Sequence, residues 1–238
     1  VIRFWTEDIV PAPLRRADAW WSLDTLQALG RWFGDLLWQQ ALPGLWNTLV
    51  LTQMALVVTG ILTMLLFPVI SRWFGNRFTR LGGHWGLVIL RSTPEYILAY
   101  VLLQLWGPSM LPAVVALSLH NGAIIGHLIG RQSDQLPLRP DRCRGMNLYL
   151  YELAPGLYRP MLAFLFYRWE IILRETAILG ILGVYTLGFY IDSAIQELRF
   201  DRALLLILIT ALLNLGIDAL SRRLRSYLKL RAHVRCDG

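Results

Sequence analysis

Apolar residues fall into long runs along this chain, and the intervals between the runs collect the charge. Residues 45–70 are interrupted mainly by Thr and Gly; residues 85–106 carry Arg91, Pro94 and Glu95; residues 111–130 carry His120, Asn121 and His127. Two further runs follow at 160–184 and 203–220, the last being the most apolar. A helix needs about 20 mainly apolar residues to cross a hydrocarbon layer about 30 Å thick. Irregular backbone exposed to lipid leaves polar groups unpaired, so each run is expected to be helical. The pattern predicts an all-α integral membrane protein with about five transmembrane helices.

Residues 19–41 have a different rhythm. Trp20, Trp21, Leu23, Leu26, Leu29, Trp32, Phe33, Leu36 and Leu37 recur at helical spacing, with Asp24, Gln27, Arg31 and Asp35 on the other face. That predicts an N-terminal helix lying in the interface with its aromatics at headgroup level, or one packed on the outer surface of the protein itself. Residues 189–198 form a second amphipathic stretch between the last two spans. The loop 131–159 holds Pro137, Pro140 and Pro155, and between them 141–153 reads as a short helix. Asp141 would be its N-cap, and Met146, Leu148, Leu150 and Leu153 its apolar contacts. The expected organisation is an extracytoplasmic or interfacial segment 1–44, a transmembrane domain 45–224 and a basic tail 225–238. No internal repeat or low-complexity linker divides it.

Composition agrees with the pattern. The 238 residues are 55% hydrophobic and 16% charged, with a mean hydropathy of +0.47; a soluble domain is about 45–50% apolar and about 25% charged. The net charge of +7 is confined to short stretches, which argues against nucleic-acid binding and for membrane orientation. Arg72, Arg77 and Arg80 follow the first span, Arg131, Arg139, Arg142 and Arg144 the third, and Arg222, Arg223, Arg225, Lys229, Arg231 and Arg235 the fifth. Five spans place all three groups on one side, and basic residues mark the cytoplasmic side. A multi-pass protein of the bacterial inner membrane with a cytoplasmic C-terminus is expected.

Several chemistries find no residues to support them. Cys143 and Cys236 offer neither a disulfide framework nor a metal motif. No secretory signal is visible, and a chain starting at Val1 rather than Met is expected to lack a preceding segment, which could include another helix. There is no nucleophile–base–orienter set, and no phosphate loop with Gly-Lys-Ser/Thr. Any ATP hydrolysis must therefore come from another chain.

Motifs in order along the chain carry a family resemblance. Leu90-Arg91-Ser92-Thr93-Pro94-Glu95, Ala116-Leu117-Ser118-Leu119-His120-Asn121-Gly122, Tyr167-Arg168-Trp169-Glu170 with Arg174, Ile178-Leu179-Gly180-Ile181-Leu182-Gly183 and Asp218-Ala219-Leu220-Ser221-Arg222-Arg223-Leu224 resemble the membrane subunits of phosphonate-type ABC importers. The resemblance covers residues 45–224. It implies the type I ABC importer permease fold, with a cytoplasmic coupling helix between the third and fourth spans. It also implies a homodimer, two cytoplasmic ATPases that bind ATP and Mg, and an extracytoplasmic binding protein, with no cofactor in this chain. Asp141, Arg142, Gly145, Met146, Leu148 and Tyr149 are the residues expected to couple to the ATPase. Two departures stand out. Gly145 lies ten residues before Pro155, with Ala154 where the family has Leu, which shifts the docking register. After Gly183 comes Val184-Tyr185-Thr186-Leu187-Gly188 in place of a glycine-rich turn; the bulkier turn favours a small oxyanion such as phosphite or hypophosphite over a large organophosphonate. The rivals are a permease for another small solute, a secondary transporter, which usually shows internal repeats, and a membrane enzyme.

Charges within the spans are expensive and face protein or water-filled space. Glu170 and Arg174 are four residues apart, as are Arg91 and Glu95, so each pair would share a helix face. Such pairs either neutralise each other and hold the second and fourth spans together, or leave an arginine on an anion path, where the planar guanidinium matches oxyanion geometry. Arg174, taken as the deepest from both helix ends, is the expected pathway arginine, with Glu170, Glu175, Arg168, His120 and Asn121 beside it. Arg91 and Glu95 are expected to form a structural pair or gate. His120 is a packing residue or a gate, and Gly122 with Gly126 permits close helix approach.

Overall fold

The computed structural model describes residues 9–15, 22–137 and 145–227, and no strand occurs among them. Its helices are α1 (Ala12–Arg15), α2 (Leu23–Leu36), α3 (Leu42–Ile70), α4 (Arg77–Ser92), α5 (Glu95–Trp106), α6 (Met110–Ser133), α7 (Met146–Leu148), α8 (Ala154–Leu179), α9 (Leu187–Gln196) and α10 (Phe200–Tyr227). Three helical stretches, Leu23–Ile70, Met110–Ser133 and Phe200–Tyr227, are long and apolar enough to cross a membrane, and two bent helix pairs raise the total to as many as five spans.

The amphipathic N-terminal stretch is not a separate element. Ser22 caps α2 by accepting from the Thr25 amide at 3.2 Å, and a π-helical turn, Leu37–Ala41, carries α2 into α3. The joined helix has 48 residues, about 72 Å at 1.5 Å per residue. That exceeds the 40–45 Å or so of a whole bilayer, so α2 continues beyond the hydrocarbon as an extension of the first span.

The second span departs from the continuous helix expected over 85–106. It is broken between α4 and α5, which meet at 88°. Proline disfavours the helical region for the residue before it, and Thr93 accordingly adopts φ −75°, ψ 120° ahead of Pro94. Pro155 behaves in the opposite way: it was expected to end the coupling helix, yet helix continues from α7 through a π-helical turn, Tyr149–Leu153, into α8. Proline is tolerated near the start of a new helical register, where its missing N–H would have had no partner.

At the centre of the bundle, α6 packs against α3, α4, α5 and α8. Its glycines make the approach to α3 possible. A Cβ at Gly122 would lie 3.0 Å from Leu62 Cβ, one at Gly126 3.2 Å from Leu66 Cβ, and one at Gly130 2.3 Å from Ile70 Cγ1. Three glycines at four-residue spacing thus seat three apolar knobs, extending by a turn the small-residue pattern read from Gly122 and Gly126.

Hydrogen bonds show which loops share an end. After α3, the Arg72 amide donates to Asp134 at 2.8 Å, Trp73 Nε1 donates to the Ser133 carbonyl at 3.0 Å, and Arg80 pairs with Asp134 at 3.7 Å. The basic segments after the first and third spans therefore lie together. At the other end, Asn47 Nδ2 donates to the Tyr185 carbonyl at 2.8 Å, and the Leu187 amide to Thr48 Oγ1 at 3.0 Å. Residues 9–15 join that end through Ala12 N and Arg15, both on Asp201.

The turn from α8 to α9 is the tightest approach in the fold. Gly183 has φ +94°, and a Cβ at Gly188 would lie 1.8 Å from the Ala177 carbonyl oxygen. Backbone cannot move aside as a flexible side chain can, and overpacking typically costs about 1–3 kcal/mol. Gly188→Ala should therefore lower the melting temperature of the detergent-solubilised protein by several degrees. An unchanged melt would contradict this packing.

Candidate functional site

The break in the second span leaves the Thr93 carbonyl without a helical partner, because the Ile97 amide bonds to Pro94 O instead. His120 of α6 satisfies it, with Nδ1 3.0 Å from Thr93 O. A carbonyl only accepts, so Nδ1 carries the proton in this contact. The other ring nitrogen, Nε2, stands 3.7 Å from Glu95 Oε2 at the start of α5. His120 thus holds both sides of the break.

Asn121 follows in sequence and points about 100° further round the helix. It is fully buried. Its Nδ2 donates to Leu117 O at 2.9 Å and to Glu175 Oε2 of α8 at 3.0 Å. The second oxygen of Glu175 faces Arg168 NH1 at 3.8 Å. Above this pair, Thr176 and Thr52 hydroxyls meet at 3.2 Å and tie α8 to α3. Glu95, His120, Asn121, Glu175 and Arg168 therefore form one polar set linking α5, α6 and α8 at the level of the break, with His120, Asn121 and Glu175 buried and Glu95 and Arg168 half-buried. The set brings two carboxylates together with one guanidinium and one imidazole. Such an arrangement braces helices across an apolar interior and has few arrangements other than made or broken.

Glu170 and Arg174 stand apart from that set. They pair at 2.9 Å, and the Arg174 side chain is 58% exposed. The expected position of Arg174 as the deepest charge is corrected: eight residues, about 12 Å, separate it from Leu182, where the helix that begins at Met146 ends. Arg168 is nearer the middle. The expected pairing of Arg91 with Glu95 is corrected too. Four-residue spacing brings side chains together only along a continuous helix, and the 88° break lies between them. Glu95 turns to His120, while Arg91 is left exposed on α4.

At the end that bears the basic loops, Gly145 precedes α7 with φ +65°, ψ −133°, a backbone region that glycine occupies without strain. Tyr149 stacks on Phe67 with centroids 5.4 Å apart and donates its hydroxyl to Met64 O at 3.1 Å. Leu148 is 3% exposed. Of these two expected coupling residues, Leu148 is buried and Tyr149 is half-buried, and both anchor the turn to the bundle. Met146, Leu150 and Tyr151 are exposed large apolar side chains of this turn, and Asn147 is exposed beside them. Asp141 and Arg142, the expected start of the coupling helix, lie outside the described residues.

Sequence reasoning passed over the Thr93 carbonyl, although Pro94 was its signal. It also left His84 and His127 unassigned; their rings lie 5.0 Å apart between α4 and α6. Their spacing of 43 residues gives no local pattern to find them by. Among the described residues no group of three or more His, Cys, Asp or Glu side chains is placed to hold a metal.

No family model matches the chain. It is 29% identical over 147 residues to a phosphite transport system permease protein of Stutzerimonas stutzeri, covering 59% of this chain and 53% of that protein. It is 26% identical over 148 residues to a phosphate-import permease protein of Mycolicibacterium smegmatis, covering 60% of this chain and 28% of that one. The matched stretch thus spans about half the length of the first relative and less of the second. The fold matches a crystal structure of an amino acid ABC transporter with a TM-score of 0.64 at 18% identity, over 87% of this chain and 99% of that one. An inward-facing methionine ABC transporter matches with a TM-score of 0.57 at 16% identity, over 79% and 97%. The chain has the fold of ABC transporter permeases, and its sequence resembles permeases named for phosphite and phosphate.

Proposed function

We propose that this chain is the membrane-spanning subunit of an ATP-driven importer for a small phosphorus oxyanion, phosphite or a compact phosphonate. The observation that carries the reading is the likeness to phosphite and phosphate-import permeases over about 60% of this chain. The fold supports the permease part of that reading independently. The basic residues after the first, third and fifth spans support a cytoplasmic position for those segments in a bacterial inner membrane.

The geometry suggests a division of labour. The polar set around His120 and Glu175 acts as a gate that holds α5, α6 and α8 in one arrangement. Arg174 meets the anion, tempered by Glu170 so that binding is not too tight for release. An exposed ion pair at this depth cannot rest against lipid. A second copy of the chain covers that face, with the path between the two. Two ATPases that bind ATP and Mg dock on the Gly145–Tyr151 turn, and an extracytoplasmic binding protein delivers the anion from the other end.

Copurification tests the assembly. Tagged chain solubilised from its native membrane should bring a second copy and ATPase chains with it. Met146→Glu with Tyr151→Glu should weaken ATPase retention ~30-fold, the equivalent of about 2 kcal/mol at an interface centre, while the melt of the membrane domain stays unchanged. Isolation of the parent chain free of any ATPase under mild conditions would count against the proposal, and so would full ATPase retention by the double variant.

A further inference from the structure

We infer that the seam between α4 and α6 carries a second anion site, formed by His84, Arg91, His127 and Arg131, which receives the oxyanion on its way out to the cytoplasm. The direction and the substrate class rest on the function proposed above; the site itself rests on the following geometry.

Leu87 and Ala123 pack together in one apolar cluster where α4 and α6 run antiparallel. One turn nearer the basic loops, His84 faces His127, with ring centroids 5.0 Å apart and planes at 48°. Positions 84, 87 and 91 share one stripe of α4, and 123, 127 and 131 share one stripe of α6. The four basic side chains therefore follow a single seam. His127 is 3% exposed, and its Nδ1 is buried with no hydrogen-bond partner. A buried nitrogen left unpaired costs about 1–3 kcal/mol, a cost that a bound oxygen would remove.

The charges acting on His127 come from Arg91, His84 and Arg131, all of them groups that carry positive charge when ionised. This is the reverse of the set around His120, where the carboxylates Glu95 and Glu175 stand beside Arg168. Arg91 can belong to the seam because the break at Pro94 separates it from Glu95. Arg91 and Arg131 bring positive charge to this pair of imidazoles, while Asp134, one turn beyond Arg131, is taken up by Arg80 and the Arg72 amide. An oxyanion placed at the pair is attracted by both guanidinium groups. Guanidinium supplies a planar fork for phosphate-like oxygens, and rings of such charges are a known device of anion pores. His84 is exposed, so the site opens outward from the bundle. The phosphate of an anionic lipid headgroup has the same chemistry as the free oxyanion, and the test must tell them apart.

The full chain carrying His84→Cys, with Cys143→Ser and Cys236→Ser, would be placed in nanodiscs of zwitterionic lipid. Its reaction rates with a sulfonate-bearing and an ammonium-bearing methanethiosulfonate are then compared, each scaled to the rate with mercaptoethanol. The site predicts a preference for the anionic reagent on the order of tenfold, typical of a focused field. It predicts loss of that preference with Arg91→Gln and Arg131→Gln, and slowing of the reaction by millimolar phosphite. Equal scaled rates for the two reagents would overturn the site. Protection only when the nanodisc contains an anionic lipid would overturn its role in release and give it to a headgroup. Anionic preference with protection by sulfate but not phosphite would uphold the site and reject the phosphorus substrate class instead.

Discussion

Glu175→Ala is expected to destabilise the membrane domain by about 3–5 kcal/mol, the range seen when one partner of a buried ion pair is removed. The change strips the counter-charge from Arg168 and an acceptor from Asn121 Nδ2, at a side chain that is itself only 9% exposed. Thermal unfolding in detergent should show a drop of many degrees. Arg168→Leu combined with Glu175→Leu should recover most of that loss, because apolar residues of similar volume often replace buried pairs at little cost. Uptake should not recover with it. A mere brace would be rebuilt by the apolar pair, whereas a gate needs polar groups that can part and rejoin. Parental uptake by the double variant would show that the set around Glu175 is structural and nothing more.

The second large effect concerns the exposed pair on α8. Arg174→Gln with Glu170→Gln should leave the melt within a few degrees of the parent, since both side chains are partly solvated in the single chain. Anion uptake should fall ~10–100-fold. That range corresponds to loss of a charged hydrogen bond worth about 1.5–3 kcal/mol. Arg174→Lys should restore part of the rate, because charge returns without the planar fork. Uptake at the parental rate in the double glutamine variant would remove Arg174 from the path.

The spans were legible because hydrocarbon thickness fixes helix length and lipid excludes irregular backbone. The basic loops were legible for the same reason of simple spacing, and the contacts of Arg72, Trp73 and Arg80 with Ser133 and Asp134 bring the first two of them together. Prolines misled in both directions. Pro94 was read as part of a continuous span, which made Arg91 and Glu95 look like a pair. Pro155 was read as a helix end, although the π-helical turn before it absorbs the change of register. A single sequence gives the local preference of a proline but not which neighbour will take up the freed carbonyl. Here that neighbour is His120, 27 residues away.

The polar set shows the same limit at longer range. His120, Asn121, Arg168 and Glu175 were all marked as charged or polar residues in apolar runs. Their partners were not legible, because Asn121 and Glu175 meet across 54 residues and only the packing of α6 against α8 joins them. Leu148 and Tyr149 illustrate the converse. Exposed and buried faces of a short helix look alike in sequence, and Phe67 and Met64 of α3 decide which side is covered.

Transport by the assembled complex tests the central claim most directly. The chain, its copurifying ATPases and the extracytoplasmic binding protein would be reconstituted in sealed vesicles, with ATP and Mg available to the ATPases. Uptake of phosphite, a compact phosphonate, sulfate and an amino acid would then be measured side by side. ATP-dependent accumulation of the phosphorus oxyanions is expected, at least tenfold over sulfate, a margin worth about 1.4 kcal/mol of discrimination. ATP-dependent accumulation of the amino acid or sulfate, with none of the phosphorus compounds, would contradict it.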